Sequence, residues 1–155
     1  MTRLLGIDLG ERRIGVAIAD DDGSMARAHS TLKRAATLDR DAAALATLIE
    51  ANEIAELVVG LPLEASGSEG PQAAITRAWA RGIADRLAVA ITFRDERLTS
   101  HVAEDRLGPM KRGRSGGPPS RTQRDAYRAR VDREAAAIIL QDELDARVGQ
   151  DERRG

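Results

Sequence analysis

With 155 residues, 42% of them hydrophobic, the chain is long enough for one domain with a real core and too short for two substantial ones. It contains no cysteine, which excludes disulfides and thiolate metal sites but leaves oxygen-ligand metals open, and its only aromatics, Phe93, Trp79 and Tyr127, exclude a stacking platform for single-stranded bases. The net charge of −1 points to no polyanion partner, and no apolar run approaches the ~18 residues of a membrane span, so a cytoplasmic protein without signal peptide or anchor is expected.

The stretch "TRLLGIDLG" alternates Leu4, Gly6 and Asp8 on one face with Leu5, Ile7 and Leu9 on the other, the period of a strand that ends at Gly10. "ERRIGVAIAD" reads as a second strand after a short turn. The "DDDG" turn at 20–23 leads into a third, shorter strand in "SMARAHS". Tight connections between three strands predict an antiparallel meander. Leu38, Ala42, Leu45, Leu48 and Ile49 then recur at helical spacing, with Asp39 and Asp41 near the positive N-terminal end. "ELVVGLP" is a short apolar run of the kind buried strands show. Pro71 suits the first turn of a helix whose apolar stripe includes Ile75, Ala78, Trp79, Ile83 and Leu87. Alternation returns at 89–96, and a short helix over 99–107, a basic loop and a helix through "VDREAAAIILQDEL" follow. The order β-β-β-α-β-α-β-α-α predicts an α/β domain over 1–148: a mixed five-stranded sheet, first a meander and then βαβ-type elements, with helices on both faces. Residues 149–155 are expected to form a disordered tail.

Charge is distributed unevenly. Between Arg106 and Asp132 stand Arg106, Lys111, Arg112, Arg114, Arg121, Arg124, Arg128 and Arg130 against Asp125 and Asp132. This is a basic patch on a near-neutral body, readable either as a polyanion contact, with Lys111, Arg112, Arg114 and Arg130 as substrate-binding candidates, or as a solvated loop.

Asp8 sits in an otherwise apolar strand, where an ionised carboxylate costs several kcal/mol unless a cation or donor compensates it. The predicted topology groups the first strand, the end of the fifth strand and the start of the last helix. Each holds a carboxylate: Asp8, Glu96 and Asp132. Plainer readings stand beside this one. Asp8 is also placed to pair with Arg12 or Arg13 across the turn, Asp132 to sit in a helix's first turn, and Trp79 to fill the core. His29 and His101 read as surface residues, and only one of Asp95 and Glu96, on opposite faces of their strand, can join Asp8.

"GIDLGERRIGVAIAD", "LVVGLPLEASGSEGPQA", "RDERLTS" and "VDREAAAIIL" together resemble, in order and spacing, the YqgF/RuvX family, described as Holliday junction resolvases and as pre-16S rRNA nucleases. The resemblance runs from residue 3 to about 145. It implies an RNase H-like fold and a nuclease acting on pre-rRNA, branched DNA or both, with Asp8, Glu96 and Asp132 as catalytic residues that bind one or two Mg2+ or Mn2+ ions. It also implies phosphate contacts for Arg12 or Arg13 and for Arg97. The sequence departs from the pattern in three places. Glu64 and Ala65 stand where an amide and an apolar residue are expected. Gly60 and Leu61 stand where RuvC resolvases have an acid, and Ala135 follows Asp132 where a second aspartate is expected, so Asp95 or Asp125 enters as a helper. Symmetric junction cutting further implies a homodimer.

Two other functions remain open at this point. "GIDLG" also opens the actin-like ATPase and sugar-kinase fold, although Glu11, Arg12 and Arg13 follow it here instead of Thr or Ser and one domain does not enclose a nucleotide. A binder that holds nucleic acid without cutting it fits the same basic loop.

Overall fold

The computed structural model describes residues 3–20, 22–96, 99–113 and 115–154. The element order is the expected one: β1 (Arg3–Leu9), β2 (Arg13–Ala19), β3 (Ala26–Lys33), α1 (Leu38–Ala51), β4 (Ile54–Leu61), α2 (Pro71–Leu87), β5 (Ala90–Asp95), α3 (Thr99–Leu107) and α4 (Arg121–Arg154). The strands form one sheet in the order β3-β2-β1-β4-β5. The meander pairs antiparallel, whereas β1, β4 and β5 run parallel. Because parallel strands have both faces covered, the two sides of β1 meet different helices.

On one face Leu5, Ile7 and Leu9 of β1, Ile14, Val16 and Ile18 of β2 and Leu57 and Val59 of β4 pack against α1 and α2 through Ala42, Leu45, Trp79, Ala80 and Ile83. On the other, Leu4, Ala17, Ala19 and Val58 meet Ala136, Ala137, Ile139, Leu140 and Leu144 of α4. A third cluster, with Ala103, Val131, Ala135 and Ile138, joins α3 to α4. Thr37 caps α1 by accepting the N–H of Arg40 at 3.2 Å, and Pro71 opens α2. Asp41 is buried in that first turn, where it accepts the Trp79 indole N–H at 3.0 Å and the Ala35 N–H at 2.7 Å.

Four local expectations change. The third strand is eight residues long, not shorter than its neighbours. The inward stripe of α2 is Ala73, Thr76, Trp79, Ala80, Ile83 and Ala84, leaving Ile75 49% exposed and Ala78 exposed as well, because small residues take the sites against the sheet. The last helix starts ten residues before "VDREAAAIIL", so that Arg121 to Arg130 are helical and the basic loop shrinks to 108–120. The signal is a capping box: Ser120 Oγ accepts the Gln123 N–H at 3.1 Å and Gln123 Oε1 accepts the Ser120 N–H at 2.8 Å. At its other end α4 runs to Arg154, so residues 149–154, expected as tail, are helical, with Arg153 and Arg154 at the negative end of the dipole. An ion cluster of Arg147 with Glu143 and Glu56, joined by Arg94, ties that half of α4 to β4 and β5. Of the "DDDG" turn, Asp21 lies outside the described residues; the Gly23 N–H closes it on the Asp20 carbonyl at 2.8 Å.

Candidate active site and its basic cleft

Asp8 is the next-to-last residue of β1, on the face that meets α4, and pairs with Gly15 of β2. The approach of α4 depends on missing side chains. A methyl group at Gly15 would stand 2.0 Å from the backbone oxygen of Asp132, and one at Gly6 would stand 2.7 Å from the oxygen of Ala136. Gly15 therefore brings Asp132 over the strand pair that carries Asp8. The space at Gly6 is filled by the backbone of α4 and the Leu140 side chain. Gly10 serves its turn by donating to the Arg13 carbonyl at 2.8 Å.

Glu96 follows β5 directly, its N–H donating to the Leu61 carbonyl at 3.1 Å. Its carboxyl reaches over Gly60, where a methyl would lie 2.8 Å from Oε2, and hydrogen-bonds with Asp8. Gly60 is thus the gap through which β5 delivers its acid to β1. Burial pushes Asp8 up to about 6, opposed by the Glu96 hydrogen bond and reinforced by the charge of Asp132. Burial, then the Asp8 charge, then the hydrogen bond and Asp95 push Glu96 up to about 10. At neutral pH Glu96 therefore keeps the proton and donates it to Asp8.

The third acid is differently engaged. Asp132 lies in the interior of α4, eleven residues beyond Arg121, which overturns its reading as a first-turn acid. Its Oδ2 accepts Arg13 Nε at 2.8 Å, with the two side chains 21% and 26% exposed. Arg13 thus pairs with Asp132 across 119 residues of sequence. Among the described residues, no three carboxylate or imidazole groups stand close enough to hold one ion. Asp95 is exposed at the end of β5, Asp125 is exposed on α4, and His29 and His101 are both exposed. Glu64 folds its carboxyl against Gly70 at the start of α2.

Beside this cluster lies a cleft of about 610 Å³ between the β2–β3 hairpin and the first turns of α4, lined by Arg12, Arg13, Lys33, Arg121, Arg124 and Arg128, with Asp125 the one acid among the described residues that line it. Arg121, Arg124, Asp125, Arg128 and Asp132 recur at intervals of three and four, so the cleft and the carboxylate share one face of α4. Arg130 is two residues from Asp132 and so projects from another face. Lys111 and Arg112 are exposed in the loop, where Arg112 donates to the Gly116 carbonyl at 3.2 Å and its own carbonyl accepts Gln123 Nε2 at 3.0 Å. Arg97 and Arg114 lie outside the described residues. Lys33 escapes the sequence reading because only the hairpin fold brings it to α4; Arg121, Arg124 and Arg128 could have been singled out had the capping box at Ser120 been read.

Comparison with solved structures gives the class. RuvC of Thermus thermophilus, in complex with a Holliday junction substrate, matches with a TM-score of 0.53 at 16% identity, over 96% of this chain and 97% of that one. The Fowlpox virus resolvase, in complex with Holliday junction DNA, gives 0.51 at 10% identity over 94% and 98%. The sheet order and the helix across it are those of the RNase H-like fold.

Sequence narrows this further. A "Putative pre-16S rRNA nuclease" of Anaeromyxobacter dehalogenans is 44% identical over 145 residues, 94% of this chain and 98% of the relative. A protein of the same name from Picosynechococcus is 43% identical over 143 residues, 92% of each. The profile of the RuvX family, described as Holliday junction resolvases, matches residues 2–146, and the chain belongs to that family.

Proposed function

We propose that the chain is a cytoplasmic, divalent-cation-dependent nuclease that hydrolyses phosphodiester bonds of structured nucleic acid, in 5′-end maturation of pre-16S rRNA and, as a homodimer, in resolution of branched DNA during recombination and repair. The observation that carries this reading is the contact between two half-buried carboxyls, Asp8 and Glu96, beside a cleft lined by six cationic side chains. The donor chemistry fits a hard cation: all ligands offered are oxygen, and among the described residues the half-buried pair is compensated by a shared proton. Asp8 and Glu96 would hold Mg2+ or Mn2+, with Asp132 as the third ligand. The bound cation supplies charge neutralisation at the phosphate and a more acidic water.

The chain's own residues account for the rest. The arginines along α4 and Lys33 bind backbone phosphates and align the strand along the helix face that ends at Asp132. A cation held by Asp8 and Glu96 would displace the proton they share, coupling its binding to proton release. The names of the curated relatives favour pre-rRNA; the family description favours junctions.

The test is incubation of the purified chain with precursor 16S rRNA and with a four-way DNA junction, in Mg2+, in Mn2+ and in chelator. Cleavage of either substrate, abolished by chelator and leaving 5′-phosphate and 3′-hydroxyl ends, is expected. Binding without cleavage in any metal makes the chain a nucleic-acid binder with a degenerate site.

A further inference from the structure

Arg13 belongs to two places at once. Its guanidinium holds Asp132 Oδ2 at 2.8 Å, and the same side chain lines the cationic cleft. Each acid of the cluster therefore has its own partner in the absence of nucleic acid: Asp8 and Glu96 have each other, and Asp132 has Arg13. The pair is reached by solvent, its side chains 26% and 21% exposed, so a phosphate entering the cleft can compete for the guanidinium. A guanidinium offered the two non-bridging oxygens of a singly charged phosphodiester can exchange one carboxylate oxygen for them, because the planar fork fits both groups. Arg12, Lys33, Arg121, Arg124 and Arg128 line the cleft together with Arg13, whereas Asp8 does not line it.

We propose that Arg13 is a latch shared by the cleft and the carboxylates: a backbone phosphate seated in the cleft takes its guanidinium from Asp132, and Asp132 then becomes available as the third cation ligand. Nucleic acid and cation consequently bind with positive coupling, and the full ligand set assembles on substrate. The inference rests on the nuclease reading above, and makes Arg13 a positioning residue acting through Asp132.

The experiment measures Mn2+ affinity by electron paramagnetic resonance, with and without a nuclease-resistant four-way DNA junction, for the native chain, Arg13→Gln, Arg13→Lys and Arg128→Gln. For the native chain the junction tightens Mn2+ binding about tenfold, and linkage requires Mn2+ to tighten junction binding by the same factor. Arg13→Gln binds Mn2+ more tightly than the native chain without junction, and its coupling disappears. Arg13→Lys, which keeps a cation beside Asp132, retains part of the coupling and guards against a folding defect in the glutamine variant. Arg128→Gln, in the cleft but not on Asp132, weakens junction binding and leaves Mn2+ affinity of the free protein unchanged.

A native chain that binds Mn2+ equally well with and without junction overturns the latch while the nuclease reading stands. Weaker Mn2+ binding by Arg13→Gln also overturns it, since Arg13 would then be a support that orients Asp132 for the ion. No Mn2+ binding under either condition removes the nuclease reading and the latch with it.

Discussion

The two faces of the sheet are built from the same strands and differ in almost every other respect. The face toward α1 and α2 is paved with Leu, Ile and Val side chains from β1, β2 and β4, and the buried acid beside it, Asp41, is held by the Trp79 indole and a backbone N–H. The face toward α4 carries Gly6, Gly15 and Gly60 among alanines, and it is the face on which Asp8 and Glu96 meet. Thick side chains keep helices at a distance and give stability; absent side chains let a helix backbone touch the sheet and bring its acid to another strand. One face is a core, the other a core thinned to admit chemistry.

The largest break in that comparison is chemical. Asp8→Asn removes the acid that both neighbours face, and cleavage of the preferred substrate should fall on the order of 10³-fold or more, beyond the 10–100-fold that loss of an outer partner costs; the thermal midpoint should hold. Undiminished cleavage would take Asp8 out of the site.

Next come two packing changes of similar size and different consequence. Leu45→Ala, in the fully buried α1 layer, should destabilise by about 2–5 kcal/mol and leave the activity of the folded fraction intact. Gly15→Ala should cost about 3 kcal/mol, since its methyl meets backbone. It should also lower activity of the folded protein, because Asp132 is lifted from Asp8. Denaturant titration together with rates per folded molecule separates the two; equal specific activity in both variants would abolish the distinction between the faces.

A pH experiment comes third. Both carboxyls are raised, so above the ordinary carboxylate range the folded state binds more protons than the unfolded one, and stability falls as pH rises toward the folded values, about 6 for Asp8 and about 10 for Glu96. In chelator, Glu96→Gln keeps a donor to Asp8 without the titration. Its midpoint should exceed that of the native chain by about 2–4 °C at pH 8, a gap that closes toward pH 5. Parallel curves across that range would mean the two acids share no proton.

The smallest effect concerns the cleft. Replacing Arg121 and Arg124 together by Ala should flatten the salt dependence of nucleic-acid binding by about 1.4 to 1.8 in the log–log slope, whereas Arg112→Ala, whose guanidinium already donates to Gly116, should change it less.

Much of this was legible from the chain. Hydrophobic period and turn residues give all nine elements in order, and the cost of a carboxylate in a strand points to Asp8 before any partner is known. Local chemistry ends there. The phase of α2 is hidden in the sequence because Ala73 and Thr76, not Ile75, face the sheet, and a stripe of small residues carries little periodic signal. The first turns of α4 look like loop in the sequence because the Gly, Pro and Arg composition ahead of them outweighs two capping residues. The Arg13–Asp132 pair and Lys33 in the cleft are contacts between distant segments, and no spacing rule reaches across 119 residues.

The continuity of α4 has a consequence of its own. Its 34 residues form a rod about 51 Å long that carries cleft arginines, Asp132, the apolar contacts to the sheet and the ion cluster in sequence along one axis. Function here depends on rotational phase as much as on composition. A single residue inserted after Arg128 would leave every side chain of the cleft and of the carboxylate group in the protein, yet would turn one set about 100° from the other around that axis.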